Sequence, residues 1–314
     1  MINIKREVDL SKYLIRTDLV LESINPIKIK SIKKQYKDVS VERIIIDKKA
    51  SHIINKKEGN YTTISFLDIT DMTNYNNVLK AFITELKLYL KDIDCSSCLI
   101  VGLGNKYSTS DAIGPKTLDN ILVTRHIYQV TKTLETGYTI TSKFTPDVMA
   151  NTGYETKDLL KTLILKTKPT LVIIIDSLCA SSLQRINKTI QISDAGINPG
   201  SGVGNNRGEL SKKTLKTNVL AIGVPTVVSS VTIVKDTINL MFEKLKQNKL
   251  NKEVLFGIIG TLNDEEINKY LKEILNPINY NLIVSPKEID FLVERFANLI
   301  STGINISLHP SYKK

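Results

Sequence analysis

Two aspartates stand where a parallel sheet would place reactive groups. Asp176 directly follows the aliphatic run at residues 171–175, and Asp111 comes soon after the apolar run at residues 98–103. Polar residues at the carboxyl ends of parallel strands meet at one edge of the sheet. Burial there raises the pKa of a carboxyl group, so the pair could hold a water between a base and an acid. The alternative is that each aspartate caps a following helix.

A glycine-rich stretch at residues 196–208 is a second candidate for chemistry. It contains Gly200-Ser-Gly-Val-Gly204 and follows Asp194, whose Asp-Ala-Gly context is typical of a turn. The N–H groups of this loop could bind an anion or let a peptide approach closely, and a tight packed turn fits equally well. The loop lacks the Gly-Lys-Ser/Thr of a Walker loop. Tyr107 stands where a dinucleotide fingerprint from Gly102 would need its third glycine.

The histidines and cysteines are expected to have structural rather than catalytic roles. Three histidines are too few for a His-rich metal site, and the chain has no Gly-x-Ser-x-Gly sequence for a serine hydrolase. His126 follows Arg125 near the end of a predicted helix, where a cation suits the helix dipole. Cys95 and Cys98 are expected to be a reduced pair, and Cys179 a buried thiol.

Apolar runs and helical spacing alternate through the middle of the chain. Strands are predicted at residues 98–103, 171–175, 189–192 (one face wetter) and 219–225, and helices at 71–91 (capped within Asn74 to Asn77), 111–130, 156–165, 265–275 and 286–299. Strands that alternate with helices indicate crossover connections. The expected fold is α/β, with a mostly parallel twisted sheet flanked by helices and with N-terminal and C-terminal additions.

Composition and charge exclude several protein classes. The 314 residues are 42% apolar and 24% charged, which is ordinary for a globular protein and excludes disorder, collagen and a disulfide-built miniprotein. No secretory signal or membrane span is predicted, so an intracellular protein is expected. The net charge of +11 leaves nucleic acid and an acidic protein open as partners.

The motifs in order resemble one family, the germination proteases of endospore-forming bacteria, which degrade small acid-soluble spore proteins. The segments that carry the resemblance include Asp9-Leu-Ser-Lys-Tyr-Leu-Ile-Arg-Thr-Asp-Leu19, Val101-Gly-Leu-Gly-Asn105, Asp111-Ala-Ile-Gly-Pro115, Ile175-Asp-Ser-Leu178, Thr189-Ile-Gln-Ile-Ser-Asp-Ala-Gly-Ile197, Pro199-Gly-Ser-Gly-Val-Gly-Asn205 and Ala221-Ile-Gly-Val-Pro-Thr-Val-Val228. The series extends through most of the chain, and is therefore far more specific than any single motif.

The resemblance implies an atypical aspartate-dependent endopeptidase. The family's two essential aspartates match Asp111 and Asp176, which the strand-end argument also selects. The implied fold is similar to that of hydrogenase maturation proteases, of the phosphorylase/hydrolase-like type. Because the corresponding acids of those proteins bind nickel, a divalent metal at these two aspartates stays open. No other cofactor is expected.

The resemblance also implies a zymogen, a homotetramer and a place in the cytoplasm of the spore core. The family cuts after an acidic residue and before an apolar one, so self-cleavage is expected between Asp18 and Leu19. Residues 1–18 would then be a propeptide and 19–97 a peripheral region. Residues 98–240 would be the α/β catalytic core, and 241–314 a C-terminal helical layer packed on the core.

Several residues are candidates for substrate binding, because they would bring side chains or backbone groups to a cleft. They are Asn105, Arg125, His126, Arg185, Asp194, Gly200, Gly202 and Gly204, with Arg207 beside them. Two departures from the family pattern, Ser181 for an arginine and Asn206 for a lysine, bear on fine specificity. The alternatives are a metal-dependent maturation peptidase with one specific partner and a basic nucleic-acid-binding module. For the module no recognition motif is found, so no direct nucleic-acid contact is expected.

Overall fold

The computed structural model describes residues 17–24, 29–200, 207–234, 236–237, 240 and 282–312. These residues form a nine-stranded sheet in the order β1-β2-β3-β7-β8-β6-β4-β5, with β9 paired to β8. The strands are β1 Ser31–Tyr36, β2 Val39–Ile46, β3 Gly59–Ser65, β4 Ser97–Gly102, β5 Ile140–Phe144, β6 Leu171–Ala180, β7 Thr189–Ser193, β8 Asn218–Ser229 and β9 Ile283–Val284.

Helices cover both faces of the sheet, which confirms the α/β class. They are α1 Lys48–Ile54, α2 Met72–Leu90, α3 Ile113–Asp119, α4 Arg125–Thr131, α5 Met149–Thr152, α6 Thr156–Thr167, α7 Lys212–Leu215 and α8 Ile289–Leu308. Leu171, Ile173 and Ile175 of β6 face a core shared with α2, α3 and α8. Val172 and Ile174 face a second core shared with α6 and α7. Alternate residues of a strand point to opposite faces, so the aliphatic run at the start of β6 is buried on both sides.

The sheet is mixed, and its parallel strands form the half that ends at the edge strand β5. Strands β5, β4, β6 and β8 run parallel to one another. The remaining pairs, β1-β2, β2-β3, β3-β7, β7-β8 and β8-β9, are antiparallel. The three strands before residue 97 therefore continue the same sheet through the β3–β7 pair. The expectation that residues 189–192 expose one face to solvent is wrong. Strand β7 lies between β3 and β8, and all five of its residues are buried.

Helix α2 confirms the helix expected at residues 71–91, with a different cap. The N-cap is Asp71, whose side chain accepts from the Asn74 N–H. Asn74 and Asn77 instead lie in the helix, and their side-chain amides donate to Asp38. The cap expected within residues 74–77 is therefore wrong, because the turn at Asp38 binds both amides.

The single helix expected at residues 111–130 is wrong, since it is a short 3-10 turn followed by α3 and α4. Between the helices, the Leu122 N–H donates to the Asn305 side chain of α8, and the Thr124 N–H donates to the Thr141 carbonyl of β5. These tertiary hydrogen bonds replace the helical ones. Helix α6 confirms the helix expected at residues 156–165. Helix α8 confirms the helix expected at 286–299, although it begins at Ile289 and continues to Leu308. The helix expected at 265–275 falls outside the described residues.

None of the helices in the described ranges is long and apolar enough to cross a membrane.

Candidate active site

Asp176 lies inside β6, at the level where the neighbouring strand β4 stops. Strand β6 continues to Ala180, so the expectation that Asp176 ends its strand is wrong. Its extension is stabilised by pairing with β8, whereas β4 ends at Gly102, opposite Ile175. Asp176 is thus the first residue of β6 past the end of β4. Only 6% of Asp176 is exposed, and its Oδ1 accepts a hydrogen bond of 2.9 Å from the Ser177 N–H.

Asp111 is positioned by the loop that follows β4. It ends the 3-10 turn Thr109–Asp111, and its Oδ2 accepts from the Asn105 N–H at 2.9 Å. The Thr226 hydroxyl of β8 donates to the Ser110 carbonyl at 2.6 Å and fixes the turn from the other side. The capping alternative fails for both aspartates: α3 has Ala112 at its N-cap, with no side-chain bond, and Asp176 lies in a strand.

Gly104 makes the close approach of this loop possible. Its φ is +107°, and a Cβ built there would lie 2.0 Å from the Asp111 carbonyl oxygen and 3.0 Å from Asp111 Oδ1. No side chain fits that space, and L residues rarely adopt that backbone conformation. The glycine therefore lets the turn that carries Asp111 fold back onto the end of β4.

A cavity of about 290 Å³ brings the two aspartates together. Its lining also includes two further carboxyl groups, of Asp18 and Asp147, and one guanidinium, of Arg207. The aliphatic side chains of Leu103, Leu178 and Ile197 line the same cavity. A wall that combines charged and apolar groups suits a peptide, which has a polar backbone and side chains of either kind.

Burial and neighbouring charges act differently on the pKa values of the two carboxyl groups. Burial raises the pKa of Asp176 well above its usual value, and the negative charges of Asp111 and Asp18 raise it further. Burial also raises the pKa of Asp111, but the Asn105 N–H and the positive charge of Arg207 oppose that rise. Asp176 is thus the carboxyl group favoured as protonated, and Asp111 has groups that stabilise its ionised form.

The chain's own residues 17–22 reach this cavity at Asp18, which forms part of its lining. The Asp18 N–H donates to the Cys179 carbonyl at 3.0 Å, and the Cys179 N–H donates to Asp18 Oδ2 at 2.9 Å. Leu19 is fully buried in an apolar cluster with Leu178, Ala180 and Val228. The segment is therefore docked along the far end of β6, with Asp18 at the cavity and Leu19 beside it.

A glutamine and a lysine hold the same segment. The Gln191 side chain of β7 donates from Nε2 to the Asp18 carbonyl at 3.3 Å and accepts at Oε1 from the Val20 N–H at 2.8 Å. Lys56 donates to the Thr17 carbonyl at 2.5 Å. Sequence reasoning missed both residues. The one available signal for Gln191 is a polar amide within the apolar alternation of β7.

Besides Arg207, three of the expected substrate-binding residues lie at the cavity or beside the segment that reaches it. Asn105 binds Asp111 through its N–H, and Gly200 lines the cavity with a left-handed φ of +72°. Arg185 lies on the loop after β6, and its Nε is 3.8 Å from Oε1 of Glu22. Ser181 also contacts Glu22, through both its N–H and its hydroxyl. Gly202, Gly204 and Asn206 fall outside the described residues.

The structure does not bring the other expected residues to this cavity. Arg125 begins α4 and donates to the Thr167 carbonyl, just before β6 begins, so Arg125 and His126 lie at the amino edge of the parallel strands. Asp194 accepts from the backbone and side chain of Asn60. It lines a separate cavity of about 1020 Å³, beside β1 to β3, that contains neither Asp111 nor Asp176.

The described residues do not fit a resident metal. Within the ranges that the structure covers, no group of three or more His, Cys, Asp or Glu side chains could hold a metal ion. Asp111 and Asp176 alone supply fewer ligands than the sites that zinc, calcium or magnesium prefer in proteins.

Known proteins resemble the chain over nearly its whole length. The family model for germination proteases matches residues 12–253 and 243–314. The germination protease of Bacillus cereus (strain AH187) is 39% identical over 353 residues, which cover 97% of this chain and 96% of the relative. That of Bacillus thuringiensis subsp. konkukian (strain 97-27) is 40% identical over 355 residues, with the same shares covered.

A solved structure of a NiFe hydrogenase maturation protease, HycI from Thermococcus kodakarensis KOD1, also matches. It has a TM-score of 0.33 and 16% identity, and the match covers 70% of this chain and 99% of that one. This likeness is too distant to inform function. The family model from residue 12 onward and the relatives near 40% identity, in contrast, match nearly the whole chain, and the chain belongs to the germination protease family.

Proposed function

We propose that this germination protease is a self-processing endopeptidase whose aspartates, Asp111 and Asp176, activate the attacking water. Family membership supports a protease that acts in germination. The observation that carries the finer proposal is the docking of Asp18 in the cavity that both aspartates line. The peptide bond between Asp18 and Leu19, with an acidic residue before it and an apolar one after it, is the bond to be cut.

The two carboxyl groups take different roles in this hydrolysis. Asp111, ionised and supported by the Asn105 N–H and the charge of Arg207, accepts a proton from water as the oxygen attacks the Asp18 carbonyl carbon. Asp176, protonated because it is buried beside Asp111 and Asp18, donates a proton to the Leu19 nitrogen as the C–N bond breaks. The products are a carboxyl group on Asp18 and an amine on Leu19.

The contacts of residues 17–22 describe the substrate that would follow in trans. The carboxylate of Asp18 accepts from the Cys179 N–H, which favours an acidic side chain before the cut. The cluster around Leu19 favours an apolar side chain after it. Small acid-soluble spore proteins are the proposed substrates, on the strength of the family resemblance. The same resemblance supports a zymogen that matures to a homotetramer in the spore core.

The test is self-cleavage of the purified full chain at mildly acidic pH, followed by mass spectrometry. The parent chain should lose residues 1–18, whereas Asp111→Asn and Asp176→Asn should each stay intact, because an amide cannot act as base or acid. Asp119→Asn, an exposed aspartate at the end of α3, is the matched control and should process like the parent.

A small acid-soluble spore protein added to the processed chain tests the substrate, and should be cut after acidic residues. A parallel sample with a chelator tests the metal-dependent alternative. Full activity in Asp176→Asn, or loss of all cleavage in the chelator, would overturn the aspartate mechanism.

A further inference from the structure

We propose that Gln191 holds the peptide on both sides of the bond that is cut and supports the oxyanion that forms at its carbonyl oxygen. The inference rests on the proposed self-cleavage between Asp18 and Leu19, and it assigns that reaction a further substrate-contacting residue. Its basis is a pair of hydrogen bonds from one buried side chain. Nε2 donates to the Asp18 carbonyl at 3.3 Å, and Oε1 accepts from the Val20 N–H at 2.8 Å.

The register of the sheet places Gln191 beside Asp176. Gly223 of β8 pairs with Asp176 of β6 on one side and with Gln191 of β7 on the other. Register partners point to the same face of a sheet, so Gln191 and Asp176 share a face, separated by two strand spacings or about 10 Å. The strand between them carries a glycine there. Their side chains can therefore approach an extended peptide from its two sides.

Gly223 leaves room for a leucine that the peptide packs on. A Cβ on Gly223 would lie 2.4 Å from Leu178 Cδ1, so the absent side chain leaves its space to Leu178. Leu19 packs on that leucine. The Gln191 amide reaches the backbone on either side of Leu19, while the Leu19 side chain fills the apolar cluster.

The chemistry of the amide matches the chemistry of the reaction. The carbonyl oxygen of Asp18 becomes negatively charged when water attacks its carbon, so a hydrogen bond that Gln191 already donates strengthens in the transition state. At 3.3 Å the bond is long before reaction and has room to shorten. Gln191 neither gains nor loses a proton, and the proton transfers stay with the two aspartates.

The same two bonds would serve a separate substrate. Every extended peptide presents a carbonyl at the cut and an N–H two residues later, whatever its side chains. A group that reads only these backbone atoms positions the peptide without restricting its sequence. The preference for a sequence then comes from the side chains on either side of the cut, through the Cys179 N–H that binds Asp18 and the apolar cluster that binds Leu19.

The test compares self-cleavage rates of the full chain, measured by mass spectrometry, in the parent and three variants. Gln191→Glu keeps an acceptor for the Val20 N–H but loses the donor to Asp18, and Gln191→Ala loses both. Each should cut about 10²–10³-fold more slowly at neutral pH, the loss typical of one oxyanion donor. Gln129→Glu, an equal change in charge on the exposed face of α4, should cut at the parental rate.

The pH dependence separates a hydrogen-bond donor from a merely structural glutamine. In Gln191→Glu, the introduced carboxyl group could donate to the Asp18 carbonyl again once it is protonated. The deficit of this variant relative to the parent should therefore shrink as the pH falls, whereas the deficit of Gln191→Ala should stay constant. Melting temperatures of all variants, measured at each pH, establish that the compared chains are folded.

The outcomes distinguish this inference from the proposed function. If the parent cuts between Asp18 and Leu19, Asp176→Asn is silent and Gln191→Glu cuts at the parental rate, the role of Gln191 is wrong and the aspartate mechanism stands. A pH-independent deficit in Gln191→Glu also overturns the donor role. If the parent does not cut there, or Asp176→Asn still does, the proposed function fails and this inference fails with it.

Discussion

The carboxyl group of Asp176 is buried, and two other carboxylates of the same cavity act on it electrostatically. Both effects penalise its ionised form, so the folded chain binds a proton there more tightly than the unfolded chain does. Such a group contributes stability that is present in full below its unfolded pKa, about 3.9, and is lost as the pH rises through the folded pKa. The burial that suits Asp176 to the acid role in the proposed hydrolysis thus costs stability at neutral and alkaline pH.

The first prediction at this scale concerns the stability of Asp176→Asn. The amide cannot ionise, so at pH 8 the unfolding free energy of the variant should exceed that of the parent by roughly 1–3 kcal/mol. The difference should shrink as the pH falls towards 4. Thermal unfolding at a series of pH values measures it, with Asp119→Asn as the exposed control. A difference that does not vary with pH would contradict the proposed protonation of Asp176.

Residue types and spacing predicted part of this site. Asp111 and Asp176 are visible in the sequence because each comes soon after an apolar run. Gln191 is not, because its partners Asp18 and Val20 lie more than 170 positions away, and only the β7–β8–β6 register brings them together. Arg125 and His126 were misplaced for a related reason: the break between α3 and α4 directs them to the other edge of the sheet.

At the scale of elements, apolar runs predicted strands well and their ends poorly. The aliphatic cores of β4, β6 and β8 are where the runs placed them. Strand β6, however, continues for five residues after Ile175, because β8 offers it hydrogen-bond partners through Ala180. The partner decides where a strand stops, and no local signal encodes the partner. The cap of α2 was missed for a similar reason, since the side chains of Asn74 and Asn77 bind Asp38, which is distant in sequence, and Asp71 caps the helix instead.

The second prediction concerns the loop that joins β4 to the Asp111 turn. Gly104→Ala would place a methyl group 2.0 Å from the Asp111 carbonyl oxygen, at a φ of +107°. The turn must move, and a small displacement of the group proposed as the base is costly, so self-cleavage should slow by about 10–100-fold. Mass spectrometry of the full chain measures the rate.

Gly153→Ala is the matched control for that change. Gly153 also has a positive φ, +74°, but nothing lies within 4 Å of a Cβ built there. It therefore carries the same kind of backbone strain, about 1–2 kcal/mol, without the collision. A rate for Gly104→Ala equal to that of Gly153→Ala would show that strain alone, and not the position of Asp111, sets the effect.

At the scale of the whole molecule, the proposed function makes the chain's own segment a competitor of any other substrate. Leu19 is fully buried and Asp18 lines the cavity, so a second polypeptide that binds as residues 17–22 do can take their place only after they leave. Cleavage between Asp18 and Leu19 would free the acidic side of this segment. Leu19 would still have to leave its apolar cluster. The proposed self-cleavage would then be an intramolecular step, whereas cleavage of another protein would need an encounter as well.

The third prediction separates these two steps by their response to salt. The net charge is +11, from 43 Lys and Arg against 32 Asp and Glu, so an acidic substrate is attracted over distances that salt screens. For an acidic peptide, kcat/KM should fall about tenfold between roughly 0.05 and 0.5 M salt. The rate of self-cleavage should stay nearly constant, because no charged partner has to arrive.

A peptide with the same cleavage sequence, in which distant acidic residues are replaced by glutamine, is the control for that measurement. Its kcat/KM should be lower at low salt and nearly independent of salt, since the long-range attraction has been removed while the groups that contact Cys179 and the Leu19 cluster are kept. Equal salt dependence for both peptides and for self-cleavage would mean that salt acts on the aspartate site itself. In that case the basic charge of the molecule would have no part in delivering its substrate.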